Sequence, residues 1–233
     1  MEIFARYSDA TVDSHSDAEV VRRFLRGVYA WMCTGLALTA LTASTVSSSS
    51  RLTLALADPR GVLFWSLVMT QFALVIVLTR RVNTLGAGLG GIVFVLYSVL
   101  MGLTLSPIFM AYTAGYLERT FLVTAGSFAA LAFYGTTTRR DLRGVGQFLF
   151  MGLVGLLFAA AAQLLWPADI LRFIVDFVGV IVFAGLTVWD AQRLRDLALG
   201  TGHEQPTALP INGALALYLD FLNLFLSLLG SED

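Results

Sequence analysis

No lysine occurs in this chain, which carries one cysteine, two histidines and five prolines among 233 residues, and only 13% of its residues are charged. Each shortage excludes something. A lone Cys33, set within an apolar run, leaves no intramolecular disulfide, no paired-thiol redox motif and no cysteine zinc site, and it reads as a packing residue. His15 and His203 stand outside the apolar runs without metal-ligand spacing, although His203 has the chemistry of a pH-responsive group. Fifteen basic residues, all arginine, nearly balance sixteen acidic ones, so no basic surface awaits a nucleic acid. There is no Gly-rich phosphate loop, no serine nucleophile elbow and no H-E-x-x-H. What remains is apolar: 57% of the residues, with a mean hydropathy of +0.77. Soluble domains of this size are not built that way.

The arginines fall in short clusters between long uncharged runs, which is the pattern of loops and membrane spans. Residues 1–23 are polar and acidic and read as a disordered cytoplasmic tail, leaving 24–233 as one transmembrane domain. A spanning helix needs about 20 apolar residues. Seven runs qualify, near 27–47, 61–79, 84–106, 114–136, 145–166, 170–191 and 211–229. The first is preceded by arginines, lacks a clear cleavage site and is followed by further spans, so it is expected to stay in the protein. Pro107 in GLTLSPIF should break the uncharged stretch from Val82 to Leu117. The glycines of GAGLGG suit close helix contact. Eleven arginines fall on one side of the membrane: Arg6, Arg22, Arg23 and Arg26; Arg80 and Arg81; Arg139, Arg140 and Arg143; Arg193 and Arg195. Arg51, Arg60, Arg119 and Arg172 fall on the other. The amino terminus is therefore expected in the cytoplasm and, with an odd number of spans, Asp233 outside.

Three aspartates interrupt apolar runs: Asp176 in RFIVDFVGV, Asp190 in LTVWDAQRL and Asp220 in ALYLDFLNLF. A carboxylate at the centre of a spanning helix costs about 2.5–3.5 kcal/mol to insert, so each must face protein or water. Asp220 is deepest, roughly 15 Å along its helix from Pro210, and Asn223 lies one turn further on. Asp190 precedes Arg193 and Arg195, so it sits towards the inner end of the sixth span, and it has two readings. It is either half of a buried pair with Asp220, some offset in depth remaining, or a helix-end residue paired with Arg193. Arg80, ending the second span on the same side, is the nearest other counter-charge. Asp176 and Asp190 share one face of their helix, about 21 Å apart. Asp176 reads as an interfacial residue or as part of a carboxylate-lined pathway, with Glu118 at the outer mouth of the fourth span.

Several of these segments carry a resemblance. FAGLTVWDAQRL and ALALYLDFLNLFLSLL resemble the sixth- and seventh-helix signatures of the transmembrane Bax inhibitor family, in its bacterial branch of inner-membrane proteins. GLTLSPIF is similar to its third helix and FLRGVYAWMCTGLALTAL to its first. The likeness runs from about residue 22 to the end. It implies an all-α fold of two three-helix layers around a central C-terminal helix, and a pH-sensitive calcium leak, with calcium as the passing ion and no cofactor. It also implies that Asp190 and Asp220 form a hydrogen-bonded pair that senses pH and binds the ion, with Arg80 as alternate partner. Trp189 and Ala191 depart from the tyrosine and threonine more usual beside Asp190. Where some relatives carry a glutamate in the second helix, the nearest polar residue here is Gln71.

Physical chemistry supports the same mechanism, since two buried carboxyls within hydrogen-bonding reach share a proton rather than both ionising. Losing it turns attraction into repulsion and leaves oxygens suited to a hard cation. The rival reading is a binding partner that modulates a membrane protease or another membrane complex. An intramembrane aspartyl protease would also need two aspartates, but the Gly-x-Gly-Asp arrangement is missing, so an enzyme is not expected. A proton-coupled transporter would commonly show an inverted repeat, and none is visible.

Overall fold

The computed structural model describes residues 2–58, 61–201 and 209–231, with side chains beyond description at 2–16, 82, 83, 85 and 164. His203 and Asp233 lie outside the described residues. A chain crossing hydrocarbon must satisfy every backbone N–H and C=O internally, and helices do so within one segment. The described residues accordingly form eight helices and no strand: α1 (Glu2–Ser47), α2 (Ser50–Ala57), α3 (Val62–Leu105), α4 (Ile108–Ala111), α5 (Ala114–Thr137), α6 (Arg143–Leu165), α7 (Asp169–Thr201) and α8 (Leu209–Gly230). Seven stretches are long and apolar enough to cross a membrane, one each in α1, α5, α6, α7 and α8, and two associated with α3 and α4. The helical backbone of α1 extends through the stretch read from composition as a tail. Its first buried side chain among those described is Phe24.

Two boundaries differ from the sequence reading. The second and third spans are one continuous run in α3, divided by a kink at Gly86, whose φ of 72° is open to glycine and strained for other residues. In GAGLGG, then, Gly86 shapes the backbone, while Gly91 packs: a Cβ there would meet the Trp31 ring at 2.7 Å. The sixth span was expected to end near residue 191 and instead runs to Thr201. Arg193 and Arg195 at its arginine-bearing end supply helix-forming side chains that can leave the membrane without breaking the helix. Pro107 does end α3, as its missing N–H requires.

α8 is the centre of the molecule, packed against α1, α3, α5 and α7. About 61% of its apolar window is buried, against 11–33% in the other spans. It is held by buried polar contacts as well as apolar ones. Thr39 of α1 donates to the Ser98 carbonyl of α3 at 2.9 Å, which leaves its oxygen to accept from the Tyr218 hydroxyl of α8 at 2.6 Å. Phe94 and Tyr97 stack edge-on against the Tyr218 ring. The large exposed apolar residues, Phe72, Phe133, Phe148 and Phe158 among them, lie around the outside of this core, where lipid rather than water is their natural neighbour. Cys33, expected in the packing, is exposed on α1.

Orientation follows from the arginines. A reporter fused after Asp233 should behave as exoplasmic and one inserted between Arg139 and Arg143 as cytoplasmic. Equal protection of both from an external protease would overturn the assignment.

Candidate functional site

The facing ends of α7 and α8 set a register. Thr201 closes α7 eleven residues beyond Asp190, and Asp220 lies eleven residues into α8 from Leu209. Both carboxyls therefore stand about 16 Å from the same hairpin end. The offset in depth expected from a shorter α7 disappears once the helix runs on to Thr201. Asp190 and Asp220 are both buried, and their carboxyls lie within hydrogen-bonding reach of each other. With each taken as a carboxylate, Asp220 Oδ2 is a buried acceptor with no donor. A proton held between the two carboxyls supplies that donor, and an unmet buried polar group is costly enough to make this the satisfied state.

Arg193 supplies the charge beside the pair. Its Nη1 donates to Asp190 Oδ1 at 3.2 Å, and its guanidinium lies 5.5 Å from the Trp189 ring centroid. Both readings of Asp190 thus hold at once: it belongs to the pair and it meets Arg193. Arg80, the expected latch, is exposed and makes no ion pair with either aspartate among the described residues. Asn223 is not a partner of Asp220 either, because its Nδ2 donates to the Leu219 carbonyl at 2.8 Å within its own helix. It does share with Asp190, Asp220, Arg193 and Asn212 the wall of a cavity of about 390 Å³, which Thr79 of α3 completes.

The other candidates lie elsewhere. Asp176 does share a face with Asp190, and both look towards α8. Asp176 packs against Gly230 at the far end of that helix and pairs with Arg172 at 3.9 Å. Glu118 is exposed at the lip of a second cavity, about 340 Å³, whose walls are largely apolar and include Leu117, Phe221 and Phe225. Gln71 donates to Thr104 at 2.7 Å, joining the second span to the third.

The sequence reading passed over Gln192 and used Arg195 only to orient the chain. Gln192 is a clamp: its Nε2 donates to the Arg140 carbonyl at 2.7 Å and its Oε1 accepts from the Leu142 N–H at 3.0 Å. Arg195 caps the end of α5 through the Thr136 and Thr138 carbonyls at 3.0 and 2.7 Å. The helix that presents Asp190 to α8 is thereby pinned on its opposite side to the α5–α6 connection. The signal was a glutamine next to apolar sequence, where a buried amide needs partners. The two departures from the family pattern are also accommodated: the Trp189 indole fills space left by Gly146, and Ala191 is fully buried against Gly135.

Seven apolar spans packed about the buried helix α8, with a buried carboxyl pair on a cavity wall, define an integral membrane protein rather than a soluble domain. Residues 21–231 match the family model described as inhibitor of apoptosis-promoting Bax1, and the chain belongs to that family. Inner membrane protein YbhL of Escherichia coli K12 is 42% identical over 232 residues, covering 98% of this chain and 97% of YbhL. An uncharacterized protein of Deinococcus radiodurans is 40% identical over 90% of this chain and 89% of its own length. One from Borreliella burgdorferi is 35% identical over 90% and 91%.

Proposed function

We propose that the chain is a pH-sensitive calcium leak of the bacterial inner membrane, gated by the pair Asp190–Asp220. The observation that carries this reading is the meeting of two buried carboxyls from neighbouring spans on the wall of a cavity large enough for water. The inner-membrane location rests on the name given to YbhL together with the seven apolar spans. With one proton between them, the carboxyls tie α7 to α8. Without it, two like charges about 4 Å apart repel by roughly 4 kcal/mol at an effective dielectric near 20. That is enough to shift a two-state helix equilibrium by about a thousandfold.

Calcium enters as the ion carried, not as a resident cofactor. It takes about six to eight oxygen ligands; two carboxylates offer at most four, so asparagine oxygens of the cavity and water complete the shell. A site so assembled holds calcium loosely, as transit requires. The Arg193 guanidinium beside Asp190 opposes a cation there and favours the ionised carboxylate, so it lowers the pH at which the shared proton is lost. No bond is made or broken in this scheme, so it is not an enzymatic one.

The test is purified protein in lipid vesicles loaded with a calcium-sensitive dye, followed from pH 5 to 8. Calcium entry above that of empty vesicles, varying with pH, is the expected result. Entry no faster than in empty vesicles at every pH would overturn the leak and return the modulator of a membrane protease as the better reading.

A further inference from the structure

We infer that the junction of α1, α5 and α7 at the arginine-rich end of the bundle is a binding site for the headgroup of an anionic phospholipid. A cavity of about 600 Å³ lies there, lined by Arg22, Arg26 and Tyr29 of α1, Thr136 of α5, and Arg195 and Leu199 of α7. Its position fits a lipid, because the uncharged apolar run of α1 begins directly after Arg26, so Arg22 and Arg26 stand where a helix enters the membrane.

The charges within it are unequal in what they already do. Arg195 is committed to the Thr136 and Thr138 carbonyls and to Asp196 at 2.8 Å. Arg23, on another face of α1, is paired with Glu19 at 3.3 Å. Arg22 and Arg26 are exposed, one helical turn apart, and neither has an ion pair among the described residues. Two neighbouring guanidiniums repel one another, and a phosphate between them turns that repulsion into charge-assisted hydrogen bonds from both forks. The half-buried Tyr29 hydroxyl, also without a hydrogen-bond partner among the described residues, adds a donor on the same wall. Val21, Leu25 and Leu199 make the remaining surface apolar, which suits the glycerol and first methylenes of a lipid better than a free ion. Basic pockets between spans on the cytoplasmic side are of the kind that take such headgroups. Asp17, on the same lining, is an acid that a diffuse polyanion would avoid and a single headgroup need not touch.

The experiment uses the full chain in uncharged detergent, titrated with a fluorescent phosphatidylglycerol analogue. Binding is expected, with displacement by unlabelled phosphatidylglycerol but not by phosphatidylcholine or by inorganic phosphate at equal concentration. R22Q/R26Q should weaken it about tenfold, the loss of one to two hydrogen bonds to a charged group. R139Q/R140Q, which removes two exposed arginines elsewhere at the same end, should bind as the parent does. Equal weakening by both double variants would reduce the effect to general charge, and displacement by inorganic phosphate would make the site one for free anions. Either result overturns the proposal. Should R22Q/R26Q fail to fold, R22K/R26K keeps the charge and loses the fork, and unchanged binding by that variant overturns it equally.

Discussion

Asp190→Asn and Asp220→Asn are each expected to flatten the pH dependence of calcium entry into vesicles, and the double variant should behave like either single one. Asparagine keeps the size of the side chain and part of its hydrogen bonding but cannot give up a proton. Once one carboxyl is replaced, the other has no partner with which to share, and the repulsion that would separate α7 from α8 is gone. Two independent sensors would instead add their effects. Arg193→Ala supplies a contrast in the same assay. It removes a partner of the ionised state, so the response survives with its midpoint moved to higher pH. The shift should be small, because the Arg193 side chain is 59% exposed and water screens the pair. Parental pH profiles in both asparagine variants would end the dyad mechanism and make His203 the next residue to test.

Gly135→Leu is expected to abolish stable insertion, and Gly135→Ala to lower the thermal midpoint measurably in detergent. At this position α5 and α7 approach so closely that a Cβ would run into the Val188 carbonyl and stand 2.9 Å from the Ala191 Cβ. Backbone cannot yield as a flexible side chain does. Overpacking of this kind costs about 1–3 kcal/mol for small additions and more for large ones. The neighbours in that contact flank Asp190, so the alanine variant should also disturb the pH response. Gly126→Ala on the same helix, where a Cβ meets nothing within 4 Å, is the control and should be silent. A Gly135→Ala protein as stable as the Gly126→Ala one would show that the helices can part here without cost.

Much of this was readable in advance, for definite physical reasons. Hydrocarbon forces each span to be a continuous apolar helix, so all seven lay open to inspection, and Pro107 marked the one break that apolarity hid. Asp190, Asp220 and Asp176 stood out because a carboxylate in such a run is expensive, and helical phase put Asp176 and Asp190 on one face. Arg193, one turn along the same helix, was already one of the two readings of Asp190; what could not be read was that Arg80 stays away from the pair, because long flexible side chains meet partners on other helices only by tertiary approach. The end of α7 was misplaced because charge marks the edge of the membrane and not the edge of a helix. The contacts of Gln192 and Arg195 escaped notice since their partners are backbone carbonyls and an N–H about fifty to sixty residues away, which no local pattern encodes.

The matched distances of Asp190 and Asp220 from their hairpin carry a consequence for how such a chain can change. One residue inserted between Asp190 and Thr201 would swing the carboxyl through about 100° and raise it by about 1.5 Å. Seven would restore its bearing but leave it about 10 Å too deep. The two arms are thus matched in length and able to lengthen only together, as the two blades of a pair of scissors must meet at one rivet.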